Sequence, residues 1–407
     1  LQATQPAKAV AMFKQALDAA EKTLGKEHPL LADLLRNYAQ ALKLSGQADR
    51  AAEVLARAES ITQRVKAEVA RAAATRPVVP KLSFDEHMSV AGRSVRQGDY
   101  TEAAEHLLAA VELSAAFEEK DPRHWTLANN LATVRQMQGD YAEAEKLLNS
   151  SLQLRQKFLK PDDPQIALAF HNLGVLHELE ERYDVAERDF TRALTIRQAV
   201  LRDNHPDISL TLQQIGLVQF KQKRLADAET SIRSAMAMRE KAFGAESVPV
   251  ASSMADLADV LAGRQKLDDA EPLLKRAMAM QEKLMGRENP DLATLLLGQG
   301  RFYREQGRFA EAELANRRAV ALLDKALGAE HPNTAVATLD LAADLAGLGK
   351  LEESAEQYGR AVVTYESRLS PASPKLDKAL AAYAEVLRKL KRDEEAAKVE
   401  GKRKAGQ

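Results

Sequence analysis

The sequence predicts an all-α fold: a right-handed superhelical α-solenoid of stacked antiparallel helix pairs. Three observations predict it. Prolines recur at Pro122, Pro164, Pro206, Pro249, Pro290, Pro332 and Pro374, with gaps of 42, 42, 43, 41, 42 and 42 residues. A fixed period in this range marks a chain of stacked repeats. Between these prolines, apolar residues fall three or four apart, the spacing of one helical face. Ala, Leu, Glu, Arg, Lys and Gln dominate, all good helix formers, and no alternating strand-like run appears.

The unit from Asp163 to Val200 shows the pattern most clearly. Its first helix runs from about Gln165 to Leu179 and lines up Ile166, Phe170, Leu173, Leu176 and Leu179. A break follows at Glu181-Arg182. A second helix begins near Val185 and carries Ala186, Phe190, Ala193, Leu194 and Ile196. The loop Arg202 to Pro206 closes the unit, because proline cannot continue a helix. Neither helix buries its apolar face alone, so neighbouring pairs must stack. Stacking also explains how 407 residues avoid the size limit of a single core.

In chain order, Ala7 to Leu24 reads as a lone second helix whose partner is missing, which points to truncation at the N-terminus. Pro29 opens the first full pair, with a long second helix from about Asp49 to Ala74. Thr75 to Pro80 is an extended, Pro-containing connection. The turn glycines Gly46 and Gly98 lie 52 residues apart, ten more than the period. That insertion fits either a longer loop in one stack or a bend setting off a small N-terminal piece. Expected boundaries are therefore 1–76, a connection over 77–82, a main superhelix over 83–394 and a frayed basic tail over 395–407. Phe84 starts the second pair. Later first helices open near Trp125, Ala167, Ser209, Ala251, Ala293, Ala335 and Asp377, giving nine pairs.

The residues at the helix crossings and turns carry a resemblance. Gly174, Gly216 and Gly300, with Ala39, Ala91, Ala132, Ala258, Ala342 and Ala384, place a small side chain where the paired helices touch. Gly98/Tyr100, Gly139/Tyr141, Gly307/Phe309 and Gly349/Leu351 mark the turns, while Tyr183, Leu225 and Leu267 keep the apolar member without the glycine. Ala144-Glu145, Ala186-Glu187, Ala228-Glu229, Ala270-Glu271 and Ala312-Glu313 follow in phase. The chain resembles tetratricopeptide repeat proteins, of the long-period variety found in kinesin light chains and many bacterial proteins.

The resemblance implies a concave groove lined by first helices, with partner peptides bound against them. The register before the conserved Leu of each first helix holds Asn37, Ser89, Asn130, Asn172, Gln214, Asp256, Gly298, Asp340 and Ala382. An Asn there hydrogen-bonds a bound peptide backbone in similar proteins, since a carboxamide both donates and accepts. Asn129, His171 and Gln213, one place earlier, extend this into a polar ladder; the same side chains also suit a tie between adjacent helices. Asp256 and Asp259 form an acidic spot. Arg301 and Arg304, three apart on one face, form a basic spot suited to a partner carboxylate or to plain solvation.

Catalysis finds no support. His28, His205 and His331 sit in His-Pro loops, His171 and His177 are six apart, and His87, His106 and His124 have no evident partner set. Gly-rich phosphate loops, G-x-S-x-G and H-E-x-x-H are absent from the sequence. We expect no catalytic residues, no metal site and no cofactor. Lys plus Arg number 58 and Asp plus Glu 59, so the basic bias of a nucleic-acid binder is missing. The chain has no cysteine, which excludes disulfides and thiolate metal sites. No run of 18 apolar residues is present, so no membrane span is expected. The absence of cysteine and of an initial Met suits either a cytoplasmic or an exported, periplasmic protein.

The expected function is a protein-interaction scaffold that binds a partner peptide in its groove. The alternatives are a regulatory arm of a larger enzyme or signalling protein, and a self-assembly module. A monomer or weak dimer is expected, and the identity of the partner is not encoded in any motif.

Overall fold

The computed structural model describes residues 31–74 and 82–406, with positions 10, 12–14 and 17. Contacts divide the chain into two units, Leu1–Pro80 and Lys81–Gln407. The expected lone helix over Ala7 to Leu24 and the connection over 77–82 lie largely outside the described residues.

Unit 1 holds repeat 1, with helices Leu31–Leu44 and Ala48–Ala74. Leu31, Leu35, Tyr38 and Leu42 pack on Ala51, Ala58 and Ile61.

Unit 2 is an α-solenoid of eight helix pairs among the described residues. Repeat 2 is Phe84–Arg96 with Tyr100–Ser114, and repeat 3 is Pro122–Gln138 with Tyr141–Phe158. Repeat 4 is Pro164–Leu179 with Tyr183–Val200, and repeat 5 is Pro206–Lys221 with Leu225–Phe243. Repeat 6 is Val248–Gly263 with Leu267–Met285, and repeat 7 is Leu292–Glu305 with Phe309–Leu327. Repeat 8 is Pro332–Gly347 with Leu351–Arg368, and repeat 9 is Pro374–Lys389 with Asp393–Gly406.

Six of the seven recurring prolines sit in the first helical turn, where a missing N–H is harmless, and Pro290 lies in the turn just before its helix. The residue before Pro164 or Pro332 caps its helix. Asp163 accepts from the Gln165 amide at 2.8 Å, and His331 Nδ1 accepts from the Asn333 amide at 3.1 Å. Each pair turns through one left-handed residue. Gly139, Gly307 and Gly349 fill this place, and so do Glu181, Lys223, Gln265 and Lys391, with φ between 60° and 65°. That is how repeats 4, 5 and 6 dispense with the glycine. At the helix crossing, a Cβ on Gly174 would lie 2.8 Å from the Phe190 ring, which is fully buried.

The last helix departs from expectation. It continues to Gly406 in place of a frayed tail from 395. Ala396 is buried, and Arg403 pairs with Asp377 at 2.8 Å. These contacts anchor a segment whose basic composition reads as solvated in isolation.

Two polar ladders join the repeats. The Ala-Glu glutamates pair with a cation at the next turn: Arg182 with Glu145 at 3.2 Å, Arg224 with Glu187 at 2.7 Å, Arg308 with Glu271 at 2.7 Å, and Lys350 with Glu313 at 2.9 Å. Deeper inside, Arg155, Arg197 and Arg239 stand one period apart on second helices, each at most 7% exposed. Arg197 donates to the Asp207 carbonyl at 3.2 Å, and Arg239 to the Pro249 carbonyl at 3.1 Å. Arg197 and Arg239 thus clamp the first turn of the following repeat. Burial lowers these guanidinium pKa values, that of Arg155 to about 10.

Candidate functional site: the first-helix wall

The first helices of repeats 5, 6 and 7 each touch their counterpart in the next repeat, forming one wall of the solenoid. Most of the predicted ladder lies on this wall and is wired along it. Asn172 Nδ2 donates to Asn129 Oδ1 at 2.5 Å, from repeat 4 back to repeat 3. Gln213 donates to Asp256, and it receives Arg239 and, at 2.9 Å, the Ser253 hydroxyl. Arg301 meets Asp259 at 3.3 Å. These side chains tie adjacent first helices together.

Asn130 and Gln214 differ. Both are half-buried, and among the described residues none hydrogen-bonds either side chain. Four residues before Asn172 and Gln214, Leu168 and Leu210 are each 39% exposed on the same helical faces. His171 turns inward: it is buried, its ring meets Phe190 edge-on, and Arg197 lies 3.5 Å from its Nδ1. Burial, with Arg197 alongside, holds its pKa down to about 4. Asn37 is exposed on the first helix of repeat 1, in the other unit.

The expected basic couple does not form as such. Arg304 is drawn into the fold: its Nε meets Asp344 Oδ1 at 2.5 Å and its Nη1 meets Asp340 Oδ1 at 2.8 Å. Asn316 donates to the other Asp344 oxygen at 2.5 Å. Arg301 stays half-exposed beside the acids of repeat 6. Asp256, Asp259, Ser252, Gly298 and Arg301 line a cavity of about 440 Å³ between repeats 6 and 7. Burial and the neighbouring Asp259 push the Asp256 carboxyl up to about 7. Burial likewise lifts Asp259 to about 6, against the pull of Arg301.

Two histidine pairings escaped the sequence reading. His87 and His106, one on each helix of repeat 2, bring their Nδ1 atoms to 2.9 Å in the core. A 19-residue separation across a turn gives no local signal. His177 is held by Asp189 at 2.8 Å and Glu145 at 3.1 Å. Burial lowers its pKa, but these two hydrogen bonds outweigh burial and raise it. Glu145, His177 and Glu180 bring possible metal-ligand atoms within 4.8 Å of one another. Arg182 already bridges the two glutamates, at 3.2 and 3.0 Å. In the next repeat Gln219 replaces His177 and still meets Glu187 at 3.1 Å. The cluster is therefore this repeat's version of the inter-repeat clamp.

The tetratricopeptide repeat model matches residues 1–64, 94–157, 125–199, 165–241, 207–283, 249–325 and 291–367. The chain belongs to the tetratricopeptide repeat family. No curated protein matches it. Among solved structures, it is similar to the apo form of RapI at 14% identity and a TM-score of 0.51, over 70% of this chain and 98% of that one. It is also similar to BtubC (BKLC) from P. vanneervenii at 22% identity and a TM-score of 0.42, over 61% of this chain and 94% of that one. Kinesin light chain TPR-like repeats from Podosopora anserina match at 20% identity and a TM-score of 0.45, over 49% of this chain and 95% of that one. At these identities the likeness concerns the fold. Tetratricopeptide repeats are protein-interaction repeats, and no described helix of this one is long and apolar enough to cross a membrane.

Proposed function

We propose that unit 2 is a non-catalytic scaffold that binds a segment of a partner protein along its first-helix wall. The observation that carries this is the contrast within the ladder. Asn129, Asn172, Gln213 and Asp256 are used up between repeats, whereas Asn130 and Gln214 keep whole carboxamides unbonded, on a wall that also exposes Leu168 and Leu210. A carboxamide offers a donor and an acceptor to a peptide group of any sequence, and the leucines offer apolar area. Half-exposed Arg301, at the mouth of the cavity between repeats 6 and 7, adds polar selectivity there.

The test uses photo-crosslinking residues at Asn130 or Gln214, with Val363, 66% exposed on a second helix, as the control. Capture of the same protein from both wall positions and not from Val363 supports the reading. The Asn130→Ala/Gln214→Ala double variant should bind that protein about tenfold or more weakly, at roughly 0.5–1.5 kcal/mol per hydrogen bond. Equal capture at Val363, or unchanged affinity of the double variant, sinks it.

A further inference from the structure

The solenoid of unit 2 returns to its own beginning. The turns of repeats 2, 3 and 4 meet the starts of repeats 8 and 9. Gln138 O accepts from the Ser370 amide at 2.8 Å. Arg368 reaches Asp99 at 3.5 Å and Lys378 reaches Glu181 at 2.5 Å, so an acidic edge meets a basic one. The ring of His331 lies about 3.0 Å from where a Cβ on Gly98 would stand. Tyr100, Leu107, Val362 and Tyr365 share one apolar cluster across the junction. Backbone closeness depends on two glycines. A Cβ on Gly98 would lie 2.5 Å from Pro332 Cδ, and one on Gly139 would fall on the Ser373 hydroxyl.

The junction is also poorly satisfied. Arg135 Nε, Gln136 Nε2, Arg368 Nε and Ser373 Oγ are buried without a hydrogen-bond partner, and all four belong to the junction or the helical turn beside it. Ser373 caps its helix in position only; its hydroxyl makes no capping bond, unlike Asp163 and His331 at the equivalent places. Buried polar groups of this kind favour water over closure. Elsewhere among the described residues only Trp125 Nε1, Arg155 Nε and Asn316 Oδ1 share that state. Attraction and desolvation therefore oppose each other at this junction, where four of the seven such atoms among the described residues gather.

We propose that the junction is a clasp: repeats 2–4 part from repeats 8–9 and close again while every repeat stays folded. Opening returns Arg135, Gln136, Arg368 and Ser373 to water and frees the Ser373 hydroxyl to cap repeat 9. A closed clasp limits side entry to the first-helix wall; that consequence rests on the proposed binding role, whereas the opening itself does not.

The chain lacks cysteine, so two introduced thiols can be labelled cleanly. Ala142→Cys and Ala372→Cys place spin labels at exposed positions on either side of the junction, outside its ion pairs. Pulsed electron resonance without any partner should give a short and a long distance. Adding Gly98→Ala and Gly139→Ala should raise the long population at least threefold. Gly307→Ala should not, because Gly307 has a comparable φ of +73° with nothing within 4 Å of an added Cβ. Should the double glycine variant lose helicity, salt replaces it: at about 1 M, where screening acts within about 3 Å, the long population of the labelled parent should grow. A single short distance unaffected by the glycine changes or by salt overturns the clasp. So does a long distance in every sample.

Discussion

Asn172 gives its amide to Asn129 across the boundary between repeats 4 and 3, at 2.5 Å. The bond spans 43 residues of sequence and joins two half-buried side chains. Its loss leaves Asn129 with an unmet carbonyl. Asn172→Ala should lower stability by about 1 kcal/mol in chemical denaturation, and Asn130→Ala should leave it unchanged within error. If the two variants lose equal stability, the division of the ladder into ties and free amides is wrong.

The crossing of Gly174 with Phe190 makes a packing prediction. Gly174→Leu should overpack it and cost roughly 1–3 kcal/mol. Adding Phe190→Leu should recover part of that loss, because the ring is the atom set that the new side chain meets. A double-mutant cycle in urea reads the coupling. Additive losses would show that the two sites do not meet.

Arg304 and Arg301 separate burial from exposure. Arg304 serves Asp344, which is fully buried, so Arg304→Ala should cost about 3–5 kcal/mol by stranding that charge. Arg301 is half-exposed beside Asp259, and Arg301→Ala should cost less than about 1 kcal/mol. Melting temperatures of the two variants, measured side by side, check the ordering.

Two histidines set opposite pH slopes. His171 is held to about 4 when folded, so its neutral form is favoured; it destabilises the fold as pH falls from about 6.5 towards 4, by roughly 3 kcal/mol in all. His177 is raised by Asp189 and Glu145, so its contribution is complete below about 6.5 and disappears as pH climbs through its folded value. His171→Gln should flatten the acid limb alone, and His177→Gln the alkaline one. Denaturation midpoints across pH 4 to 8 provide the readout; an acid limb unchanged in His171→Gln would refute the assignment.

The helix pairs were legible because proline, small crossing residues and Ala-Glu recur in phase, and each is a local requirement of the fold. The wiring was not. Arg304 reads as an exposed cation until Asp340 and Asp344 arrive from the next repeat. Arg155, Arg197 and Arg239 recur at the period, yet a buried arginine looks like any surface cation in sequence. The last helix was cut short because its anchors, Asp377 and Glu366, lie on neighbouring helices.

The junction of Gly139 with Ser373 makes a number into a structural requirement. An open array accepts one more repeat or one fewer, since each meets only its neighbours. Here the residues that meet are 232 positions apart for Gln138 and Ser370, and 197 for Glu181 and Lys378. Inserting a unit between them would carry the basic edge past the acidic one. Synthesis feels the same constraint: repeats 2 to 4 leave the ribosome long before the partners that cover them, and unit 2 closes on itself only when repeat 9 emerges.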